Sequence, residues 1–143
     1  MMRTGRGLWL AAVVLVLGAH VPAQAQGGSS PLAGTSWQLV ELNGQPPVAG
    51  GPTLTLEFEA DEQRVSGFGG CNQFSGPYSQ SGSSLRFGPL AATRRACVEE
   101  ALNTQETEYF DALQSTNRYA IEDGQLVLYR GNQVLARFEP AGA

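Results

Sequence analysis

The sequence predicts a mainly β (α+β) domain: an antiparallel sheet of about eight short strands, curled into a small barrel-like body, with one helix inserted before the last strands. Three observations carry this. The stretch "TLTLEFEA" alternates strictly, with Leu54, Leu56 and Phe58 on one side and Thr55, Glu57 and Glu59 on the other. The period changes once, between Val98 and Leu113, where Val98, Leu102, Tyr109 and Leu113 recur at spacings of 4, 7 and 4 and so share one face of a helix. Asp123-Gly124 sits between the alternating runs "RYAIE" and "QLVLYR", the strongest short hairpin signal in the chain.

From the N-terminus, residues 1–25 combine two arginines, an apolar run from Leu8 to Leu17 and the small-x-small triplet Ala23-Gln24-Ala25, the pattern of a cleaved export signal. The run is too short for the roughly 20 apolar residues of a spanning helix, and no cysteine follows it for lipid attachment. A soluble periplasmic or secreted protein without stable membrane insertion is expected. Residues 26–33 read as a flexible Gly/Ser-rich linker, and the domain as residues 34–140.

"GTSWQLVELNG" is a strand with Trp37, Leu39 and Glu41 on one side and Val40 and Leu42 on the other; the loop "NGQPPVAGGP" follows. After "TLTLEFEA", the runs "RVSGF", "QFSGPY" and "SSLRFG" supply three more strands. The helix starts either at Asn103, which would cap it with Glu106 completing a capping box, or one turn earlier. "QVLARFE" is the closing strand.

Cleavage after Ala25 leaves 118 of the 143 residues, one domain's worth, with seven arginines against thirteen acids and a net charge of −6. Nucleic acid and anionic membrane surfaces are poor partners for such a chain. No lysine occurs anywhere, and the single histidine, His20, lies in the export signal. The usual general base, the commonest metal ligand and the Schiff-base amine are therefore missing, so catalytic residues, metal and cofactor are all expected to be none. "GFGGCN" lacks the third glycine of a dinucleotide fingerprint and runs on into a strand. One enzyme class survives, a small hydrolase of envelope glycans working with two carboxylates.

An exported chain with two cysteines is expected to oxidise them to one disulfide, Cys71 to Cys97. The stretch "SGFGGCNQFSGPY" then reads as architecture. Gly67, Gly69 and Gly70 permit positive φ or a bulge where the strand bends, Cys71 pins the bend, and Asn72 bonds backbone groups left unpaired. Trp37, Phe74, Tyr78 and Phe87 either fill the core, the reading favoured for so small a domain, or line a ligand pocket rimmed by "NGQPPVAGGP" and "SQSGSS". Arg94 and Arg95, the local basic pair of an acidic chain, either pair with Glu99 or Glu100, the favoured reading, or contact an acidic partner.

At these residues the chain resembles the META domain, the small domain of the HslJ-like family of bacterial envelope proteins. The likeness rests on "GTSWQLVELNG", "VSGFGGCNQFSGPY", "LRFGPLAATRRAC" and "ETEYFDAL", in that order, and covers residues 34–139. Gly67, Gly69, Gly70, Cys71, Asn72, Phe74, Gly76, Tyr78 and Cys97 fall on its motif positions, and Arg95 departs from it, standing where the family often carries an apolar residue. The resemblance implies a compact β-barrel-like fold with a helix, an envelope location and a link to stress or antibiotic tolerance, novobiocin in the best-known case. It implies no catalytic residues and no cofactor. The resulting expectation is a monomeric, non-enzymatic envelope domain that binds a protein or a small apolar molecule; a purely structural accessory module is the remaining alternative.

Overall fold

The computed structural model describes residues 30–142 and, upstream of them, Gly5, Gly7, Ala12 to Val14 and Gly18. The export-signal reading of residues 1–25 falls almost wholly outside the described residues. Residues 30–33 correct the linker reading. They form a turn in which Leu32 is 1% exposed and its carbonyl accepts the Thr35 hydroxyl, so packing begins before Gly34.

The chain runs through β1 (Ser36–Leu42), β2 (Thr55–Phe58), β3 (Arg64–Phe68), β4 (Gln73–Ser81), β5 (Ser84–Phe87), β6 (Ala91–Ala92), α1 (Glu100–Ser115), β7 (Arg118–Glu122), β8 (Gln125–Arg130) and β9 (Gln133–Pro140). All strand pairings are antiparallel, in the order β3-β2-β1-β9-β8-β7-β5-β4-β6. A further β3–β4 pairing closes eight of the nine strands into a ring and leaves β6 as an extra strand outside it. The expected count of about eight omits β6, because two residues are too few to show an alternation. The ring is thinnest between β5 and β7, where Ser84 and Arg118 are the paired positions.

Alternation puts Leu54, Leu56, Phe58, Val65, Phe74, Tyr78, Leu85, Phe87, Leu126, Leu128 and Phe138 in one buried cluster. In β1 a bulge intervenes: Leu39 pairs with Phe138 but Glu41 with Arg137, so Val40 is the extra residue. The bulge turns Leu42 to the side of Trp37 and Leu39, and all three are buried. The period-2 reading placed Leu42 with Val40 because no signal in the residue types marks the bulge. Glu41, displaced outward, pairs with Arg137 at 3.0 Å. At the β7–β8 turn Asp123 and Gly124 both take positive φ, +51° and +79°, as a tight hairpin of right-handed twist requires.

Helix α1 lies across the ring. Tyr109, 1% exposed, packs tilted at 5.8 Å on Phe74 of β4 and edge-to-face at 6.2 Å on Phe138 of β9, and its hydroxyl donates to the Thr55 carbonyl of β2 at 2.9 Å. Burial pushes the Tyr109 phenol well above the usual tyrosine range. The helix begins at Glu100 with Glu99 as an N-cap that makes no side-chain bond. Asn103 is therefore not the cap, and Val98, expected on the buried face, is fully exposed ahead of the helix.

Candidate functional site

The glycine-rich stretch is the turn of the β3–β4 hairpin. Phe68 pairs with Gln73, and between them the Gly69 N–H donates to the Asn72 carbonyl at 2.8 Å. Only Gly70 has positive φ, +108°, so the expectation of positive φ or a bulge fails for Gly67 and Gly69. Those two are glycine because nothing larger fits. A Cβ on Gly67 would stand 2.2 Å from the Thr55 carbonyl oxygen of β2, and one on Gly69 2.9 Å from the Glu106 carboxylate and from the Phe110 ring. Gly76 is similar, its Cβ site being 2.6 Å from the Pro89 carbonyl oxygen.

A prediction separates the two kinds of glycine. Gly67→Ala must move backbone of β2 and is expected to cost about 2–3 kcal/mol. Gly70→Val, whose Cβ would meet Gln105 and Leu54 at an ordinary contact distance of 3.7 Å, faces chiefly a strained φ and is expected to cost about 1–2 kcal/mol. Thermal melts of both variants check this; equal melting temperatures to wild type would refute both assignments.

The turn's free N–H groups are taken up by a residue the sequence reading used only as a capping partner. Glu106 of α1, 8% exposed, accepts the Cys71 and Asn72 N–H groups on Oε2 at 2.8 and 2.6 Å, and the Asn72 side-chain amide on Oε1. A signal for it exists. The apolar stripe of α1 skips from Leu102 to Tyr109, and Glu106 occupies the missing position four residues after Leu102. A carboxylate on a buried stripe needs donors, and the hairpin turn supplies them.

Asn72, 5% exposed, carries the same network outward. Its amide also donates to the Arg95 carbonyl at 2.8 Å, and its oxygen accepts the Thr93 hydroxyl at 2.9 Å and the Arg95 N–H at 2.5 Å. Every hydrogen-bonding site of that side chain is used. The expectation that Asn72 bonds neighbouring backbone is thus met at a longer range: it fastens residues 93–95 to the turn. Further along, Asn103 accepts the Cys97 N–H and donates to the Cys97 carbonyl, both at 2.9 Å. The Cys71 and Cys97 sulfurs lie 1.99 Å apart, with Cα atoms 5.5 Å apart, forming the disulfide.

These contacts hold one segment, residues 91–97. Ala91 to Ala96 are all exposed, while the N–H groups of Thr93, Arg95 and Cys97 point inward to Gln73, Asn72 and Asn103. Arg94 and Arg95 do not pair with Glu99 or Glu100 as expected. Among the described residues the ion pairs are those of Arg137 with Glu41 and Glu122; the backbone at residues 95 and 97 is held by Asn72 and by Asn103 of the first helical turn.

A family model described as the META domain matches residues 30–142. The chain belongs to the META domain family. Two solved structures are similar to this META domain. One is described as the NMR structure of a protein from Burkholderia xenovorans, with 30% identity, 78% of this chain and 85% of that chain covered, and a TM-score of 0.63. The other, described as the NMR structure of a protein, shows 25% identity, 77% and 92% coverage, and a TM-score of 0.62. No curated protein matches the chain.

In this META domain Trp37, Phe74, Tyr78 and Phe87 are core residues, none more than 8% exposed. Phe58 packs edge-on to Tyr78 at 5.0 Å and tilted to Phe87 at 6.3 Å, filling the space a ligand would need. Trp37, Tyr78 and Phe87 line none of the described clefts; Phe74 edges two of them. Open clefts of about 210, 330 and 410 Å³ share Gln73 and follow one another along β3, β4 and β6. A fourth, about 350 Å³, lies between Gln45, Pro46 and Val48 and the first half of α1, where Gln105 accepts the Val48 N–H at 2.7 Å. The loop "NGQPPVAGGP" therefore does border a cleft, while "SQSGSS", a tight β4–β5 turn, borders none of those described.

Among the described residues no three His, Cys, Asp or Glu side chains are grouped to hold a metal ion. No described helix is long and apolar enough to cross a membrane.

Proposed function

We propose that this META domain is an exported, non-enzymatic module that recognises a protein partner through residues 91–97, in the service of stress or antibiotic tolerance. One observation carries the reading. The chain commits its only disulfide, a buried asparagine with every bonding site used, and a buried carboxylate to immobilising six consecutive exposed residues. A segment that contributes little to the core gains from such rigidity when something binds to it, since a preordered surface loses less entropy on association.

Export with cleavage after Ala25 into the periplasm or medium fits the same reading, because a structural disulfide persists only in an oxidising compartment. A protein partner is favoured over a small apolar ligand, because the aromatic interior is filled and the described clefts are open. The carboxylate-hydrolase reading finds little support. Glu100 and Glu108 border one cleft but stand on the same helix eight residues apart, about 12 Å of rise, instead of facing each other across it.

Site-specific photocrosslinking in living cells tests the proposal. A crosslinker at position 94 or 96 is expected to yield a discrete protein adduct, and one at position 82 or 47 none. Adducts of equal yield from all four positions, or none from 94 and 96, would overturn it.

A further inference from the structure

The backbone of residues 91–96 has an unused side. In antiparallel pairing, successive N–H groups face alternately toward and away from the neighbouring strand. Thr93 donates to Gln73 at 3.0 Å, Arg95 to the Asn72 side chain and Cys97 to Asn103, so the N–H groups of Ala92, Arg94 and Ala96 face the opposite way. That opposite side is the outer edge of β6, which has β4 as its sole neighbour in the sheet.

Ring closure leaves few open ladders among the described residues: the part of β7 beyond its single pairing of Arg118 with Ser84, and the outer side of β6, which lies in the anchored segment. Beside that ladder stand Arg94 and Arg95, exposed and free of ion pairs among the described residues, in a domain where seven arginines face thirteen acids.

From this geometry we infer that the partner contributes an extended, acidic segment that adds as a strand to the outer edge of β6. The inference rests on the reading of residues 91–97 as the recognition element and specifies its occupant. Main-chain bonds to Ala92, Arg94 and Ala96 supply affinity, and the guanidiniums of Arg94 and Arg95, on opposite faces of the segment, select carboxylates at adjacent positions of the added strand. The groove along β3, β4 and β6, which Thr93 and Arg95 also line, receives side chains on one face of the added strand. A second copy of this chain is a poorer occupant, since edge-to-edge pairing would bring the arginine pairs of two copies together.

The test is selection from a random-peptide display library on the purified, oxidised protein, with binders mapped by amide chemical shifts. Enriched peptides are expected to carry Asp or Glu at two adjacent positions, one on each face, and to shift the amides of residues 91–97. Arg94→Glu with Arg95→Glu is expected to weaken them at least roughly tenfold. Ala92→Pro, which removes an outward N–H and leaves the pairing to β4 intact, is expected to weaken them roughly fivefold at an unchanged melting temperature.

Binders that map to residues 91–97 but show no acidic bias, or ignore both variants, would overturn strand addition while leaving the recognition segment standing. Binders that map elsewhere, or a library that yields none, would overturn both. Concentration-dependent dimerisation abolished by Ala92→Pro would assign the edge to a second copy instead.

Discussion

Glu106→Ala is expected to destabilise the domain by about 4 kcal/mol, the largest effect of any single substitution proposed. The change removes the acceptor for the part-buried Cys71 N–H and for the buried Asn72 N–H and side-chain amide. Each buried donor left without a partner costs about 1–3 kcal/mol, and bonds to a carboxylate lie at the upper end. At roughly 4 °C per kcal/mol for a domain of this size, the melting temperature should fall by about 15 °C. Glu106→Gln supplies the sharper comparison. Its one oxygen can still take both backbone N–H groups, but its amide then confronts the Asn72 amide donor to donor. A loss near half that of the alanine variant is expected. Melts of the two variants check the order; a glutamine variant as stable as wild type would mean that the Asn72 contact contributes nothing.

The same network shows how far residue types alone can carry a reading. The β-strands with alternating faces, the Asp123-Gly124 hairpin, the cysteine pair and the helix were legible because each leaves a periodic or local signature: period 2, period 3.6, a dipeptide, a count of two. What escaped the sequence is set by tertiary contact. The bulge at Val40 reverses the inward side of β1 with no residue to announce it. β6 is too short to alternate, and its existence depends on Asn72 and the disulfide holding residues 91–97 beside β4. Gly67 and Gly69 looked like conformational glycines, yet their reason lies in a strand and a helix remote in the chain. Glu106 was visible only as a gap in an apolar stripe, which becomes meaningful once three donors are known to face it.

Removal of the disulfide by Cys71→Ser with Cys97→Ser is expected to cost about 3.5 kcal/mol, the chain-entropy value for a loop of 26 residues, and to lower the melting temperature by about 14 °C. The folded state should survive. Asn72 and Asn103 hold Arg95 and Cys97 through backbone bonds that do not involve sulfur, and Glu106 still receives the turn. Hydrogen exchange gives the local readout: amides of Thr93, Arg95 and Cys97 should exchange faster in the double serine variant, while those of β8 and β9 follow global stability. Combining the serine pair with Glu106→Ala then locates the bond's action. A bond that constrains only the unfolded chain adds its cost to that of Glu106→Ala. A departure from additivity beyond about 0.5 kcal/mol places part of it in the native turn that both devices hold. Oxidised and reduced proteins melting together would show that the side-chain network fastens residues 91–97 without the sulfur bridge.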